Sequence, residues 1–273
     1  MTHPSSTVAS HTDWSAAIRP RARIGHTIEV HESIGSTNDR ARELLADAGG
    51  DGGVVLAEAQ TAGRGRRGRS WVSPEGLNLT LSVAVVPALQ ATHAWQLGLA
   101  TALATLEACA RAAPDAGLGL KWPNDVVARG GRKIAGLLLE TVMSGDRMTG
   151  AVLGIGINAN WRPEDMPTEF ATRAASLASL AGADVDRVAL LDRLLDALDT
   201  EVMAVEAGHS PLARYRRACL TIGQEVSVDT TAGLVHGRAV DVDAGGSLLL
   251  DGPGGRVALS TGEVVSVRPE TPA

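Results

Sequence analysis

Residues 60–71 read Gln-Thr-Ala-Gly-Arg-Gly-Arg-Arg-Gly-Arg-Ser-Trp, a run in which four arginines alternate with three glycines. Arginine offers a planar fork of donors matched to carboxylate and phosphate oxygens, and Gly63, Gly65 and Gly68 let the backbone take positive φ and close on a ligand. Hanging free, such a composition would be a solvated nucleic-acid-binding tail. Its flanks exclude that: residues 53–58 upstream and 77–86 downstream are apolar and strand-like, so the run is a loop pinned between two strands. The fold must therefore present a cationic loop beside a sheet, shaped to wrap an anion.

The charge is local to that loop. The 31 acidic residues outnumber the 25 basic ones, for a net charge of -6, which argues against general adhesion to nucleic acid or anionic membrane. No apolar run is long enough to span a bilayer or serve as a signal sequence, Cys109 and Cys219 make no CxxC, and the histidines lack metal-ligand spacing. These features favour the cytoplasm and give a zinc site little support. Among so many arginines there are only two lysines, Lys121 and Lys133, which marks both as positions where a compact ammonium is wanted.

Along the chain, residues 1–25 show no sustained periodicity and read as a mobile or loosely packed leader. Alternation through Ile28, Val30 and Ile34 predicts a strand, after which Ser36 or Thr37 caps a short helix. Residues 94–113 predict an apolar central helix, and residues 118–159 a meander of antiparallel strands. A second amphipathic helix is predicted over 187–206, with Leu190, Leu191, Leu194, Leu195 and Leu198 as its buried stripe, and a third over 211–220. After Thr221 five short strands punctuated by glycine predict a small β-barrel. The expected division is a leader over 1–25, a catalytic domain over 26–220 and a barrel domain over 221–273.

Four blocks occur in order: Gly35-Ser36-Thr37-Asn38; the arginine run ending in Trp71; Lys121-Trp122-Pro123-Asn124-Asp125 with Gly131-Arg132-Lys133-Ile134-Ala135-Gly136; and Gly154-Ile155-Gly156-Ile157-Asn158. Together they resemble the biotin protein ligases, over residues 26–220 and more weakly through the barrel. The resemblance implies an α+β fold, a mixed or antiparallel sheet with packed helices plus a C-terminal SH3-like barrel. It implies biotin, ATP and Mg²⁺ as reactants, a biotinyl-adenylate intermediate, and a lysine on the biotin carboxyl carrier domain of acetyl-CoA carboxylase or a related carboxylase as acceptor. A lipoate protein ligase of the same fold is the alternative; an acyltransferase would need a reactive cysteine, and neither Cys109 nor Cys219 has a histidine nearby in sequence.

By that resemblance Ser36, Thr37 and Gln60 hold the ureido head of biotin, and Asn38, Gly63, Gly65, Gly136 and Gly156 complete its pocket. Arg64 and Arg66 cover the biotin tail and the phosphate, and Lys133 spans the biotin carboxylate and the α-phosphate; these three are the expected catalytic cations. Arg67, Arg69, Trp71, Asn124 and Asn158 fall on the adenylate side, and Asp125 is a Mg²⁺ ligand or orients Lys133. Plainer roles stay open on the residues alone: a helix cap for Ser36 and Thr37, a core aromatic for Trp71, a turn aspartate for Asp125. With about 25 residues where some family members carry a DNA-binding module, no repressor activity and no nucleic-acid partner are expected. Self-repulsion among the arginines leads us to expect a loop disordered until ligand arrives. Whether the chain is a monomer or a ligand-dependent homodimer is not legible.

Overall fold

The computed structural model describes residues 12–47 and 49–268. Seven strands form the main sheet: β1 (Ile28–Ile34), β2 (Val54–Gln60), β3 (Leu79–Val85), β4 (Gly119–Lys121), β5 (Asp125–Val127), β6 (Lys133–Ser144) and β7 (Arg147–Ile157). Their order is β1-β2-β3-β7-β6-β5-β4. Only β1 and β2 are parallel, because α1 (Thr37–Leu44) intervenes as a crossover; every other neighbouring pair is antiparallel.

The sequence of β7 separates the two faces of this sheet. Its odd positions, Ala151, Leu153, Ile155 and Ile157, are buried in the principal core with Leu79, Leu81, Val83 and Val85 of β3. Over them pack α2 (Trp95–Ala112) and α5 (Arg187–Glu206), and all five leucines of the predicted α5 stripe are buried. Asp186 starts α5, its carboxylate accepting the backbone N–H groups of Val188 and Ala189. The even positions of β7 read Gly150, Val152, Gly154 and Gly156 and face α1, where a small second core gathers Ala41, Leu44, Val55, Ala84 and Val152.

The leader expected over 1–25 is not loose where it is described; residues 1–11 lie outside the described residues. Trp14, Ala17 and Ile24 are buried in the principal core. Asp199 accepts three successive backbone N–H groups, from Ala22 (3.0 Å), Arg23 (2.9 Å) and Ile24 (2.8 Å). Arg21 reaches Asp192 and Asp196, and Arg187 lies over the Trp14 ring while pairing with Glu58 at 2.6 Å. The acidic face of α5 holds this segment, and no local periodicity could reveal partners about 175 residues away.

Past α3 (Thr168–Ala171), α4 (Leu177–Ala181) and α6 (Leu212–Ala218), the strands β8 (Glu225–Thr230), β9 (Gly233–Val242), β10 (Leu248–Gly252), β11 (Gly255–Leu259) and β12 (Glu263–Arg268) form an antiparallel, SH3-like sheet in the order β11-β10-β9-β8-β12. Its apolar side, including Val226, Val228, Leu248 and Leu250, merges with the principal core. Trp122, expected as packing, is 2% exposed and fastens the two sheets, donating from Nε1 to the Gly246 carbonyl (3.1 Å) and from its backbone N–H to Thr221 Oγ1 (3.0 Å).

Candidate active site

On the α1 face, the glycines of β7 make room for larger groups in sequence. A Cβ on Gly150 would lie 2.8 Å from Leu45 Cδ1, one on Gly154 2.3 Å from Asn38 Oδ1, and one on Gly156 2.3 Å from Trp71 Cε2. Gly156 is flanked in register by Thr80 of β3 and Gly136 of β6, and a Cβ on Gly136 would stand 2.7 Å from Lys133 Nζ and 3.0 Å from Trp71 Cζ3. The indole of Trp71 therefore rests on bare backbone. Its Nε1 is buried and meets no acceptor among the described residues, an uncommon condition for an indole.

At one end of this floor the start of α1 carries a buried polar cluster. Ser36, Thr37 and Asn38 are all at most 5% exposed. Gln60 Oε1 accepts from the Thr37 backbone N–H (2.8 Å) and hydroxyl (3.1 Å). Ser82, fully buried on β3, donates to Asn38 Oδ1 (2.6 Å) and lies 2.7 Å from Thr37 Oγ1, while Asn38 Nδ2 donates to Glu140 (2.7 Å). Ser36 accepts no capping bond from the helix, so the plain cap role is not what buries it.

The arginine run is a narrow hairpin between β2 and β3. The Trp71 N–H donates to the Gly63 carbonyl (2.9 Å), the Gly65 N–H to the Arg69 carbonyl (2.6 Å), and Arg64 bridges to Ser70. Gly63 is required, since a Cβ there would meet the Trp71 carbonyl oxygen at 2.5 Å. Three of the four arginines meet a carboxylate. Arg64 forms a bidentate pair with Asp39 (2.7 Å to each oxygen), which raises the pKa of the guanidinium and lowers that of the carboxyl. Arg66 donates to Asn124 Oδ1 (3.3 Å); burial pulls its pKa down, against the pull of Asp125 and Glu263. Arg67 and Arg69 turn the other way, to Asp229 and Glu263 of the second sheet. Three of the four guanidiniums thus face carboxylates, those of Asp39, Asp229 and Glu263, and Arg66 does not.

At the other end of the floor Lys133 opens β6. Its Nζ is 2.7 Å from Asp125 Oδ1, off the angle of a directed hydrogen bond, and 5.4 Å from the Trp71 ring centroid. Lys121 pairs in register with Asp125 across the β4–β5 turn, so both lysines of the chain converge on one carboxylate. Burial lowers the Lys121 pKa, and Asp125 opposes that.

Most of the expected residues meet here: Ser36, Thr37, Asn38 and Gln60 at one end, Gly136, Gly156 and Trp71 in the middle, Arg66, Asn124, Asp125 and Lys133 at the other. Others stand apart. Arg64 is engaged over the start of α1, and Asn158 spends its Nδ2 on the backbone carbonyls of Lys133 (3.4 Å) and Ala175 (3.3 Å). Asp125 faces Lys133, the second of its two expected roles. Among the described residues no three His, Cys, Asp or Glu side chains gather as a metal cage. Ser82 and Glu140 were not anticipated, although a hydroxyl and a carboxylate inside apolar strands were a signal. Burial pushes the Cys109 thiol up to about 12 and raises that of Cys219, so neither is a thiolate nucleophile. Two surface depressions, about 270 Å³ near residues 181–193 and about 490 Å³ beside 86–90 and 147–149, lie elsewhere.

Residues 30–158 match the family model of the biotin/lipoate A/B protein ligase family, and 221–266 that of the biotin protein ligase C terminal domain. The chain is 40% identical over 247 residues to the Biotin--[acetyl-CoA-carboxylase] ligase of Mycobacterium tuberculosis, covering 88% of this chain and 89% of that one. It is 33% identical to the bifunctional ligase/repressor BirA of Bacillus subtilis, over 84% of this chain and 70% of that one. Among solved structures, the biotin protein ligase of Aquifex aeolicus in complex with biotin and ATP superposes with a TM-score of 0.74 at 30% identity, covering 89% of this chain and 98% of that one.

Proposed function

The chain belongs to the biotin protein ligase family, and from that premise we propose how the residues of this site carry out the reaction. It is an ATP-dependent biotin protein ligase. A carboxylate oxygen of biotin attacks the α-phosphorus of ATP, the bond to the β-phosphate breaks, and pyrophosphate leaves with the electron pair. The ε-amine of a lysine on a carboxyl carrier protein then attacks the acyl carbon, AMP departs, and the amine loses a proton. The lipoate-ligase alternative is not favoured, because the relatives reported above are biotin ligases.

The observation that carries the assignment of roles is the position of Lys133, whose ammonium stands where the glycine floor meets the arginine hairpin. Attack of one anion on another requires the repulsion to be cancelled at the reacting centre, and a preorganised cation contributes roughly 3–4 kcal/mol there. Lys133 is that cation, with Arg66 as the second; Asp125 orients Lys133 and acts on Arg66 as well. The Ser36, Thr37, Asn38 and Gln60 cluster offers hydroxyl and amide partners of the kind a ureido ring needs. Arg64 of the hairpin, held by Asp39 of α1, lies over that end. Trp71, its flat ring laid on the glycine floor and its indole donor unsatisfied, serves the adenine side, and Asn124 fixes Arg66. Asn158 contributes by tying Lys133's strand to Ala175 rather than by reading the base. A Mg²⁺ ion carried by the nucleotide would supply charge neutralisation on the phosphates, and Asp125, which faces Lys133, is the carboxylate that would meet it.

In this reading residues 26–220 form the catalytic unit, with residues 12–25 packed into its core, and the strands over 225–268 form a second unit packed on it. No helix among the described residues is long and apolar enough to cross a membrane, and the unpaired, buried cysteines and the net charge of -6 support a cytoplasmic enzyme without a nucleic-acid partner. The direct test is incubation with biotin, Mg-ATP and a biotin carboxyl carrier domain, read by intact mass beside Lys133→Ala. Biotin should appear on the acceptor with wild type, and adenylate formation should fall by at least about 100-fold in the variant. A folded wild-type protein that makes no adenylate from biotin and instead consumes lipoate would overturn the assignment.

A further inference from the structure

Four elements of the main sheet's α1 face are joined by one string of polar side chains. Gln60 ends β2, Thr37 and Asn38 open α1, Ser82 lies within β3 and Glu140 within β6. The string runs from Gln60 Oε1 to Thr37 Oγ1 (3.1 Å), to Ser82 Oγ (2.7 Å), to Asn38 Oδ1 (2.6 Å), and from Asn38 Nδ2 to Glu140 Oε2 (2.7 Å). Each end is fixed by a group that admits one role. The Thr37 backbone N–H can only donate, and at 2.8 Å it turns Gln60 Oε1 toward the string. The Glu140 carboxylate, with Arg42 at 3.3 Å and Arg64 at 3.6 Å as ion-pair partners, can only accept. It therefore takes Asn38 Nδ2 and turns Asn38 Oδ1 toward Ser82. The Asn38 amide is seated on bare backbone, since a Cβ on Gly154 would stand 2.3 Å from its Oδ1 and 3.0 Å from its Nδ2.

Between those ends the protons run short. Three oxygen-to-oxygen contacts, Gln60–Thr37, Thr37–Ser82 and Ser82–Asn38, share the two protons of the Thr37 and Ser82 hydroxyls. Asn38 Oδ1 has none to give, so Ser82 must donate to it. The Thr37 hydroxyl, 2.7 Å from Ser82, must then donate to Ser82, because two bare lone pairs at that distance repel. The bonds from Thr37 to Gln60 and to Ser82 draw on the same proton, and the longer contact, 3.1 Å to Gln60 Oε1, is the one left open. Ser82 is fully buried, so bulk water cannot make up the shortage there. Two acceptors thus stand side by side, and a ligand N–H set between them supplies the proton that the chain lacks.

We propose that Glu140 is a positioning residue that sets the direction of this string, through Asn38 and Ser82, so that Thr37 and Gln60 accept an N–H from the ligand instead of satisfying each other. This rests on the reading of the cluster as the ureido end of the site. The class of ligand so selected is a cyclic urea presenting an N–H edge. A ring oxygen in that place would set three acceptors together and be rejected. Glu140 acts without touching the ligand, by removing from Asn38 the choice of which way to point.

Glu140→Gln tests this because it keeps the shape of the side chain and adds a donor. Asn38 can then turn over, accept from the new amide and donate to Ser82; Ser82 donates to Thr37, Thr37 to Gln60, and the string closes on itself. Arg42→Met, which removes an ion-pair partner of Glu140 without adding a proton, is the control. Binding of biotin and of its two cyclic carbamate analogues, each with one ureido N–H replaced by oxygen, is measured by calorimetry on the full chains. Urea unfolding is followed on the same proteins without ligand. Wild type should bind the poorer carbamate at least about tenfold more weakly than biotin. In Glu140→Gln the affinity for biotin should fall about tenfold and that ratio shrink to about threefold or less. Arg42→Met should keep the wild-type affinities within about twofold, and the urea midpoint of Glu140→Gln should lie above that of Arg42→Met. A biotin-to-carbamate ratio in Glu140→Gln equal to that of wild type overturns the proposal, and so does a urea midpoint at or below that of Arg42→Met. If wild type binds no biotin, the functional reading fails, and the unfolding midpoints still decide whether Glu140 sets the direction of the string.

Discussion

The two faces of the seven-stranded sheet are written in the same strands and solve opposite problems. Along β7, Ala151, Leu153, Ile155 and Ile157 face α2 and α5 and are sealed in the principal core, whereas Gly150, Val152, Gly154 and Gly156 face α1 and the arginine hairpin. β3 repeats the division, with Leu79, Leu81, Val83 and Val85 inward and Thr80, Ser82 and Ala84 outward. The sealed face gains its stability from buried apolar area, and that stability lets the other face carry bare backbone, hydroxyls and charge. Stability and chemistry therefore separate by strand parity rather than by domain. Substitutions at neighbouring residues should then fail in different ways.

The largest effect is expected on the sealed face. Leu153→Ala removes a side chain 1% exposed and should cost about 2–5 kcal/mol in urea unfolding, while the fraction that remains folded keeps a normal KM for biotin. One strand step away in parity, Gly156→Ala should do the reverse. Its Cβ would stand 2.3 Å from the Trp71 ring, so the indole must lift. Adenylate formation should drop at least about tenfold, roughly 1.4 kcal/mol, with a smaller change in unfolding free energy than for Leu153→Ala. Equal losses of stability in both variants would break the parity argument.

Ser82→Ala is a finer cut. The hydroxyl is fully buried and its loss leaves Asn38 Oδ1 short of a donor, so about 1 kcal/mol of stability should go. Because Asn38 and Thr37 also lose their bracing, the KM for biotin should rise several-fold with kcat little altered. An unchanged KM would mean that this cluster serves packing alone.

How much of this was legible follows from where each partner lies in the chain. The parity of β7, the leucine stripe of α5 and the meander of β4 to β7 are local patterns, and period alone reveals them. The convergence of Lys121 and Lys133 on Asp125 was foreshadowed by their being the only lysines. The burial of residues 12–25 was hidden because its cause is an acidic stripe on α5, and Asp229 and Glu263 could not be picked out because an ordinary surface strand carries such residues too. The helices α3 and α4, four and five residues long, are too short for periodicity to register. The motifs singled out these side chains, but not that Arg67 and Arg69 would pair with Asp229 and Glu263 of the second sheet while Arg66 reaches Asn124.

The smallest effect probes the charge at the edge of the open face. Arg64 and its hydrogen bonds hold the Asp39 carboxyl below its ordinary value of 3.8. A carboxyl with a depressed folded pKa adds stability that is present above the unfolded pKa and lost as pH falls through the folded one. Both side chains are well exposed, 37% for Arg64 and 53% for Asp39, so solvent screens the pair and it is worth only a few tenths of a kcal/mol. Melting curves of wild type and Asp39→Asn should differ slightly and constantly from neutral pH down to about pH 5, then converge below about pH 4, with the gap smaller in high salt. A difference that persists at low pH would show that Asp39 acts through its place in the first turn of α1 rather than through its charge. Arg64 would then be free to move toward a ligand without breaking an ion pair that matters.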